Sequence, residues 1–308
     1  MKLSDIALEV KRIEPEFSEE SALGRIKKVQ VYNDSLFVLD QYDNLLVFDY
    51  KGKYYRQIGR PWKSRSWGSN FSDFTIDDGD GSLYILTSRN DIIMFDNQNR
   101  SFSINGVRPS RVGIYSVDGQ LIVFSCQALE KTSLGQRNQT EMFICSLNNE
   151  NIDSLIVPRS YLKTTMFSFM TTYDISRVED NSYVYVPVLD SETIVRDTVY
   201  RFHDNKLLSA LKLKFSNERE LDDSGIKTIL LAIIRLAGDY VFTDFIYKKE
   251  NYIFSYDFRA GKGVNKKQGI RDDIFRNGTV EIRPLGYGMY YYTCREEAQR
   301  ERRILRFI

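Results

Sequence analysis

Both tryptophans of the chain fall within one eight-residue stretch, Arg60-Pro61-Trp62-Lys63-Ser64-Arg65-Ser66-Trp67, with three cations beside and between them. Indole faces stack on sugars, bases or aromatic ligands, and an adjacent Arg or Lys can hold a carboxylate or phosphate. Arg60, Trp62, Lys63, Arg65 and Trp67 are therefore the leading candidates for a ligand site. The competing reading is that one indole fills a gap between neighbouring sheets while the cations are solvated. Arg89, Asp174, Arg177, Asp272 and Arg276 are expected on the same side of the molecule and complete the candidate set; Asp40, Asp43 and Asp273 are expected there too.

Neighbouring carboxylates such as Asp272-Asp273 can bind Ca²⁺ or raise one another's pKa. In a loop, such a pair more often is solvated or caps a helix. Asp77-Asp78-Gly79-Asp80-Gly81 resembles a fragment of a calcium loop but lacks the later glutamate, so a plain turn is the better reading. No cofactor and no metal site is assigned, and a Ca²⁺ site stays open as an alternative.

His203 is the single histidine, which nearly excludes multi-histidine metal sites and Ser-His-Asp chemistry elsewhere in the chain. It sits beside Asp204-Asn205 in a turn and reads as solvated. Cys126, Cys145 and Cys294 have no metal-type spacing; Cys126 and Cys145 read as buried thiols, with a bridge between neighbouring strands as the alternative. No catalytic set can be read.

Lys+Arg and Asp+Glu number 43 and 42, so no overall field points to nucleic acid, which is disfavoured as a partner, or to an anionic membrane. The longest apolar run, residues 229–236, is too short to span a bilayer and contains Arg235.

The scaffold that must position these residues is clearest at residues 26–58. IKKVQV, SLFVLD, NLLVFD and KYYRQI are four short apolar runs separated by Asn33-Asp34, Gln41-Tyr42-Asp43 and Lys51-Gly52. Four strands at this spacing make one antiparallel meander, the unit of a propeller blade. The richness in aromatic side chains, 20 Tyr and 19 Phe, suits strands. Weaker copies follow, and the count gives an all-β, six-bladed β-propeller of four-stranded antiparallel blades in a single domain over residues 1–308. The expected blades span 25–59, 70–105, 107–158, 169–215, 228–270 and 279–308. The last blade supplies three strands, and a closing strand at 4–14 completes it, sealing the ring and protecting the sheet edges.

In such a blade the turns between strands one and two, and three and four, share one face. The second-to-third loops and the links between blades share the other. The first set is short and rich in Asn, Asp and Gly, whereas the second holds nearly every long segment, including 60–70, 127–139, 159–169 and 271–278. Long loops on a rigid scaffold carry function, so the mouth of the channel on that side is the predicted binding face.

LSDIALEVKRI, then GRIKKVQVYNDSLFVLDQYDNLLVFDYKGKYYRQIGRP and FSDFTID, resemble the six-bladed β-propeller proteins abundant in Bacteroidales, related to NHL-type propellers. The first two blades carry the resemblance and later blades fit by strand rhythm alone. Family members usually follow IGRP with a Gly-rich stretch ending near GPGEY; WKSRSWGSN stands here instead, so no role of that stretch carries over. The resemblance implies a periplasmic or cell-surface location, with a lipoprotein or secretion signal expected upstream but absent from this sequence; a genuine start here would place the chain in the cytoplasm. It implies no reaction. The reading is a non-catalytic binding propeller of the bacterial envelope, for a glycan, peptide or partner protein. A metal-dependent enzyme of the lyase or lactonase kind is the alternative, and a structural assembly scaffold is a further one.

Overall fold

The computed structural model describes residues 1–59, 71–88, 91–95, 101–104, 111–117, 120–132, 135–146, 152–156, 160–162, 174–185, 198–216, 229–248, 250–267, 269–286, 289–295 and 303–307. The described chain is all-β apart from one 3₁₀ turn, Leu3–Asp5.

Strand β1 is Lys11–Ile13. The first meander is β2 (Ile26–Tyr32), β3 (Ser35–Asp40), β4 (Leu45–Asp49) and β5 (Tyr54–Ile58), paired in that order. The second is β6 (Phe71–Ile76), β7 (Leu83–Thr87), β8 (Ile92–Phe95) and β9 (Ser101–Ile104). The third is β10 (Arg111–Val117), β11 (Gln120–Thr132), β12 (Gly135–Ser146) and β13 (Ile152–Ile156), with β14 (Ser160–Leu162) added to β12. The fourth is β15 (Asp174–Val178), β16 (Asn181–Tyr185), β17 (Thr198–His203) and β18 (Lys206–Lys212). The fifth is β19 (Ile229–Ala237), β20 (Tyr240–Tyr247), β21 (Glu250–Asp257) and β22 (Lys262–Lys267). A two-stranded ribbon, β23 (Ile270–Asp272) with β24 (Gly278–Val280), precedes β25 (Arg283–Gly286), β26 (Met289–Arg295) and β27 (Arg303–Phe307). The last sheet runs β1-β27-β26-β25, with Lys11 opposite Phe307 and Ile13 opposite Leu305. This succession of four-stranded antiparallel meanders is the β-propeller fold.

Local chemistry explains the turns. Asn33 and Asp34, and again Asp204 and Asn205, all adopt positive φ, the paired left-handed geometry of a type I′ hairpin. The core lies between consecutive sheets. Leu39, Leu45, Val47 and Ile58 pack against Phe71, Phe74, Ile76 and Ile85, while Tyr84 and Leu86 of the second sheet pack the other way, against Ile114, Leu121 and Val123. Strand β7 is consequently buried along its whole length, which is why LYILT is a continuous apolar run and not an alternating one. Tyr185 and Val199 meet Ile233, Ile234 and Phe245 in the same way. The fourth strand β22 is exposed at every residue and carries Lys262, Lys266 and Lys267, a charged edge that resists pairing with other chains.

By contact the chain clusters into two compact units, residues 1–6, 124–142 and 154–289 in one and 7–123, 143–153 and 290–308 in the other. The closing strand expected at 4–14 is confined to Lys11–Ile13. Residues 3–5 coil into the 3₁₀ turn instead, because Leu3 is fully buried and Ser4 donates from both N and Oγ to Asp273, at 3.1 and 2.6 Å; Leu8 is left fully exposed. Residues 279–285, TVEIRPL, which by apolar rhythm read as the first strand of the last blade, are divided between two elements. Thr279 and Val280 pair back onto Arg271 and Ile270, and Arg283 opens β25 after Ile282 is buried. The segment expected as a long loop at 127–139 is strand on both sides of residues 133–134.

Candidate functional site

The first strands of the first three sheets are stitched by polar side chains at matching positions. The backbone register shifts at Ile26/Lys28 in β2 and at Phe71/Asp73 in β6, so Lys28 and Asp73 follow the same irregularity in both repeats. Lys28 Nζ donates to Asp73 Oδ1 at 2.9 Å and to the Ile114 carbonyl at 3.3 Å, and it lies 4.6 Å from the centroid of the Tyr115 ring. Asp73 Oδ2 accepts from Ile114 N at 2.9 Å. One step along, Gln30 Oε1 accepts from Ile76 N, Thr75 Oγ1 accepts from Ser116 N at 3.0 Å, and Ser116 Oγ donates to Asp77 Oδ2 at 2.6 Å. Lys28 and Asp73 are paired within this row, and Asp77 is held by hydroxyl and amide donors.

A second charged group lies on the fifth sheet. Arg235 on β19 and Asp244 on β20 lie on one face, and the guanidinium donates to Asp244 Oδ2 at 2.6 Å. Glu281 stands 3.9 Å from Arg235 and 3.6 Å from Arg283. The cluster opens outward, from Arg235 at 8% side-chain exposure, through Asp244 at 35%, to Glu281 at 64%. Burial pushes the Asp244 carboxyl above the usual aspartate range, and the Arg235 charge opposes that shift without cancelling it. Arg235 was the single charge inside the apolar run 229–236, and that was the available signal for this cluster.

Three aspartates at strand ends act as loop anchors. Asp40, fully buried, accepts from Gly24 N, Tyr42 N, Asn44 N and Asn44 Nδ2. Asp77 accepts from Gly79 N and Asp80 N, which makes the DDGDG segment a self-bonded turn. Asp272, 1% exposed, accepts from Ile274 N at 3.1 Å, Phe275 N at 2.8 Å and Asn277 Nδ2 at 2.5 Å. Its carboxylate is thus turned inward to close the 273–277 loop, and Arg276 stands exposed on that loop at φ +61°. Asp43 is engaged by Lys27 and Asp273 by Ser4.

Among the other sequence candidates, Arg177 is half-buried on β15 opposite Ser182, and Asp174 starts that strand opposite Tyr185. Arg60, Trp62, Lys63, Arg65, Trp67 and Arg89 lie outside the described residues, as do the side chains of Asp174, Cys126 and Cys145. The structure therefore brings Asp272 and Arg276 into one loop. His203 is exposed in its turn, 3.4 Å from Asp204.

Residues 1–296 match the family described as Domain of unknown function (DUF4934). The chain belongs to this family. No curated protein matches it. The chain is similar in structure to a Bacteroides fragilis protein described as a candidate exported protein, with TM-score 0.69, 15% identity and coverage of 100% of this chain and 96% of that one. Weaker likenesses are to BamB of Moraxella catarrhalis, with TM-score 0.49, 9% identity and coverage of 91% and 75%. The β-propeller domain of the Trilobed protease of Pyrococcus furiosus gives TM-score 0.48, 12% identity and coverage of 92% and 80%. At 15% identity the likeness to the Bacteroides fragilis protein speaks for the fold of this DUF4934 member and for nothing finer. No helix among the described residues is long and apolar enough to cross a membrane.

Proposed function

We propose that this chain is a non-catalytic binding propeller of the bacterial envelope. In this reading its five four-stranded sheets and the third sheet, extended by β14, are six blades, related to the NHL-type propellers, with the ring closed where β1 joins β27. The ligand, a glycan, a peptide or a partner protein, sits at the mouth formed by the long loops. Trp62 and Trp67 supply stacking faces, Arg60, Lys63 and Arg65 supply charge, and Arg89, Asp174, Arg177 and Arg276 border them. Asp272 contributes by holding the loop that carries Arg276.

One observation carries the preference for binding over catalysis. Asp40, Asp73, Asp77 and Asp272 each accept two or more hydrogen bonds from backbone amides, Lys28 or neighbouring side chains. A carboxylate committed in this way is poorly placed to ligate a metal or to exchange a proton with substrate. The likeness to a candidate exported protein supports the envelope location. The metal-dependent lyase or lactonase alternative draws on one feature, the Asp244 and Glu281 carboxylates beside Arg235.

Metal analysis with thermal melting before and after chelation, followed by glycan and peptide arrays on the wild type and on Trp62→Ala and Trp67→Ala, tests this. The expected result is a melting temperature indifferent to chelator and array binding weakened tenfold or more by either substitution, the scale of about 1–3 kcal/mol for a stacking contact. A stoichiometric metal whose removal lowers the melting temperature overturns the reading in favour of the enzyme.

A further inference from the structure

The loop that joins β3 to β4, Gln41-Tyr42-Asp43-Asn44, is pinned by one buried carboxylate. Asp40 Oδ1 accepts from Tyr42 N at 2.9 Å and Asn44 N at 3.0 Å, and its Oδ2 accepts from Gly24 N at 2.9 Å. Gln41 N donates to the Arg25 carbonyl at 2.7 Å, and Asp43 N donates to the Asp40 carbonyl at 3.1 Å. Every amide of the loop is therefore engaged, and the Gly24-Arg25 segment is tied beside it.

On this fixed backbone Tyr42 stands 66% exposed. Its ring rests on Gly24, where a Cβ would come within 2.6 Å of both Cδ2 and Cε2 and 3.0 Å of Gln41 Cγ. Only glycine at position 24 gives the ring this seat on bare backbone, and Asp40 holds the seat in place. An exposed aromatic ring ordered before a ligand arrives loses little freedom on binding, which is what an aromatic anchor requires.

The side chains around the ring divide into two groups. Lys27 pairs with Asp43, and Gln57 Nε2 donates to Asn44 Oδ1 at 3.1 Å, so these are turned to one another. Arg25, Gln41 and Tyr42 are all exposed. Among the described residues, their guanidinium, amide and phenol groups make no hydrogen bond or ion pair. A sugar ring lies flat on such a tyrosine, a side-chain amide both donates to and accepts from hydroxyls, and a guanidinium takes a carboxylate on two donors. An open ring of this kind suits a flat polar ligand, whereas an apolar peptide side chain needs a pocket to desolvate it.

We propose that Tyr42, Arg25 and Gln41 form a subsite for an acidic saccharide, with the sugar ring on Tyr42 and its carboxylate on Arg25. The subsite presupposes a binding propeller and fixes its ligand class. It does not require Trp62 or Trp67.

Uronate-bearing oligosaccharides and their carboxyl-reduced counterparts, titrated onto the full chain by calorimetry, test this. The wild type is expected to bind an acidic probe and to hold its reduced counterpart about tenfold more weakly, the scale of one charged hydrogen-bonded contact. Arg25→Ala should abolish that preference and leave affinity for the reduced probe unchanged. Tyr42→Ala should weaken both probes about tenfold or more, whereas Tyr42→Phe, which keeps the ring, should bind as the wild type does. Both residues are exposed, so the melting temperature of each variant should match the wild type. Acidic probes that fail to bind the wild type, or that bind Tyr42→Ala and Arg25→Ala unchanged, overturn the subsite. If a neutral glycan or a peptide binds instead and is lost on Trp62→Ala or Trp67→Ala, the subsite falls while the binding propeller stands. A chain that binds neither glycan nor peptide and holds a stoichiometric metal brings down both.

Discussion

The Lys28 ammonium lies 2.9 Å from Asp73 Oδ1 and 4.6 Å from the Tyr115 ring centroid, so one side chain ties together the first strands of three successive sheets. Residues 28, 73 and 115 are distant in sequence, and the tie therefore fixes non-local structure that local propensity cannot hold.

Asp73→Ala removes the partner of a mostly buried ammonium and strips Ile114 N of its acceptor. Leaving a charge uncompensated is costlier than losing the pair itself, and a destabilisation of about 2–3 kcal/mol is expected. Lys28→Met together with Asp73→Leu, which removes both charges, should recover part of that loss. Urea unfolding midpoints of the three variants measure this.

Asp272→Ala separates a structural role from a binding role. Its carboxylate is buried and accepts from two loop amides and from Asn277. Truncation should cost about 2 kcal/mol of stability. Arg276→Ala, on the exposed residue of the same loop, should leave stability within about 0.5 kcal/mol and act only on ligand affinity. Thermal melts of the two variants, side by side, check the contrast.

Two glycines with positive φ should respond differently to alanine. A Cβ on Gly52, at φ +87°, would stand 2.0 Å from the Glu14 carbonyl oxygen, because Glu16 N donates to Gly52 O and holds the two segments together. Backbone must move to admit it, at a cost of about 3 kcal/mol. Gly238, at φ +52°, has nothing within 4 Å of such a Cβ, and only the conformational cost of about 1 kcal/mol remains. Denaturation midpoints of Gly52→Ala and Gly238→Ala should differ accordingly.

Much of the scaffold was legible because its signals are local. Asn33-Asp34 and Asp204-Asn205 announce their hairpins through two residues that tolerate positive φ, and LYILT announces a doubly buried strand by being apolar throughout. Elements decided by distant partners were not legible. The alternation in residues 3–10 suggests a strand until Asp273, far along the chain, takes Ser4. The 127–139 segment is polar and loop-like by composition, yet it is held as strand by hairpin pairing and by β14. The Lys28–Asp73 pair left only a faint trace, the third place in both IKKVQV and FSDFTI, and nothing local in the sequence shows that the Asp272 carboxylate accepts from the amides of its own loop.

The contact between Ser4 and Asp273 has a titration signature. The Ser4 hydroxyl and amide hold the half-buried Asp273 carboxyl below its ordinary pKa. A group with a depressed folded pKa contributes stability above its unfolded pKa and loses it as pH falls through the folded value. Ser4→Ala removes the hydroxyl donor, so the Asp273 pKa should rise toward the ordinary aspartate value while the backbone donor keeps part of the depression. Carboxyl NMR titration of the wild type and the variant reads the shift directly.

Asp244 should behave in the opposite sense. Burial raises its pKa, Arg235 draws it down, and Glu281 adds to the rise. An acid whose folded pKa exceeds its unfolded value binds its proton more tightly when folded. Its contribution therefore favours the folded state at low pH and is lost as pH climbs from the unfolded value of about 3.9 through the folded one. Arg235→Met removes the opposing cation and should move the Asp244 pKa further up. Glu281→Gln removes a like charge and should bring it down. Asp244→Asn should flatten the dependence of the urea midpoint on pH over that same interval. If Arg235→Met left the Asp244 titration unmoved, the 2.6 Å contact would not be the ion pair that these distances describe.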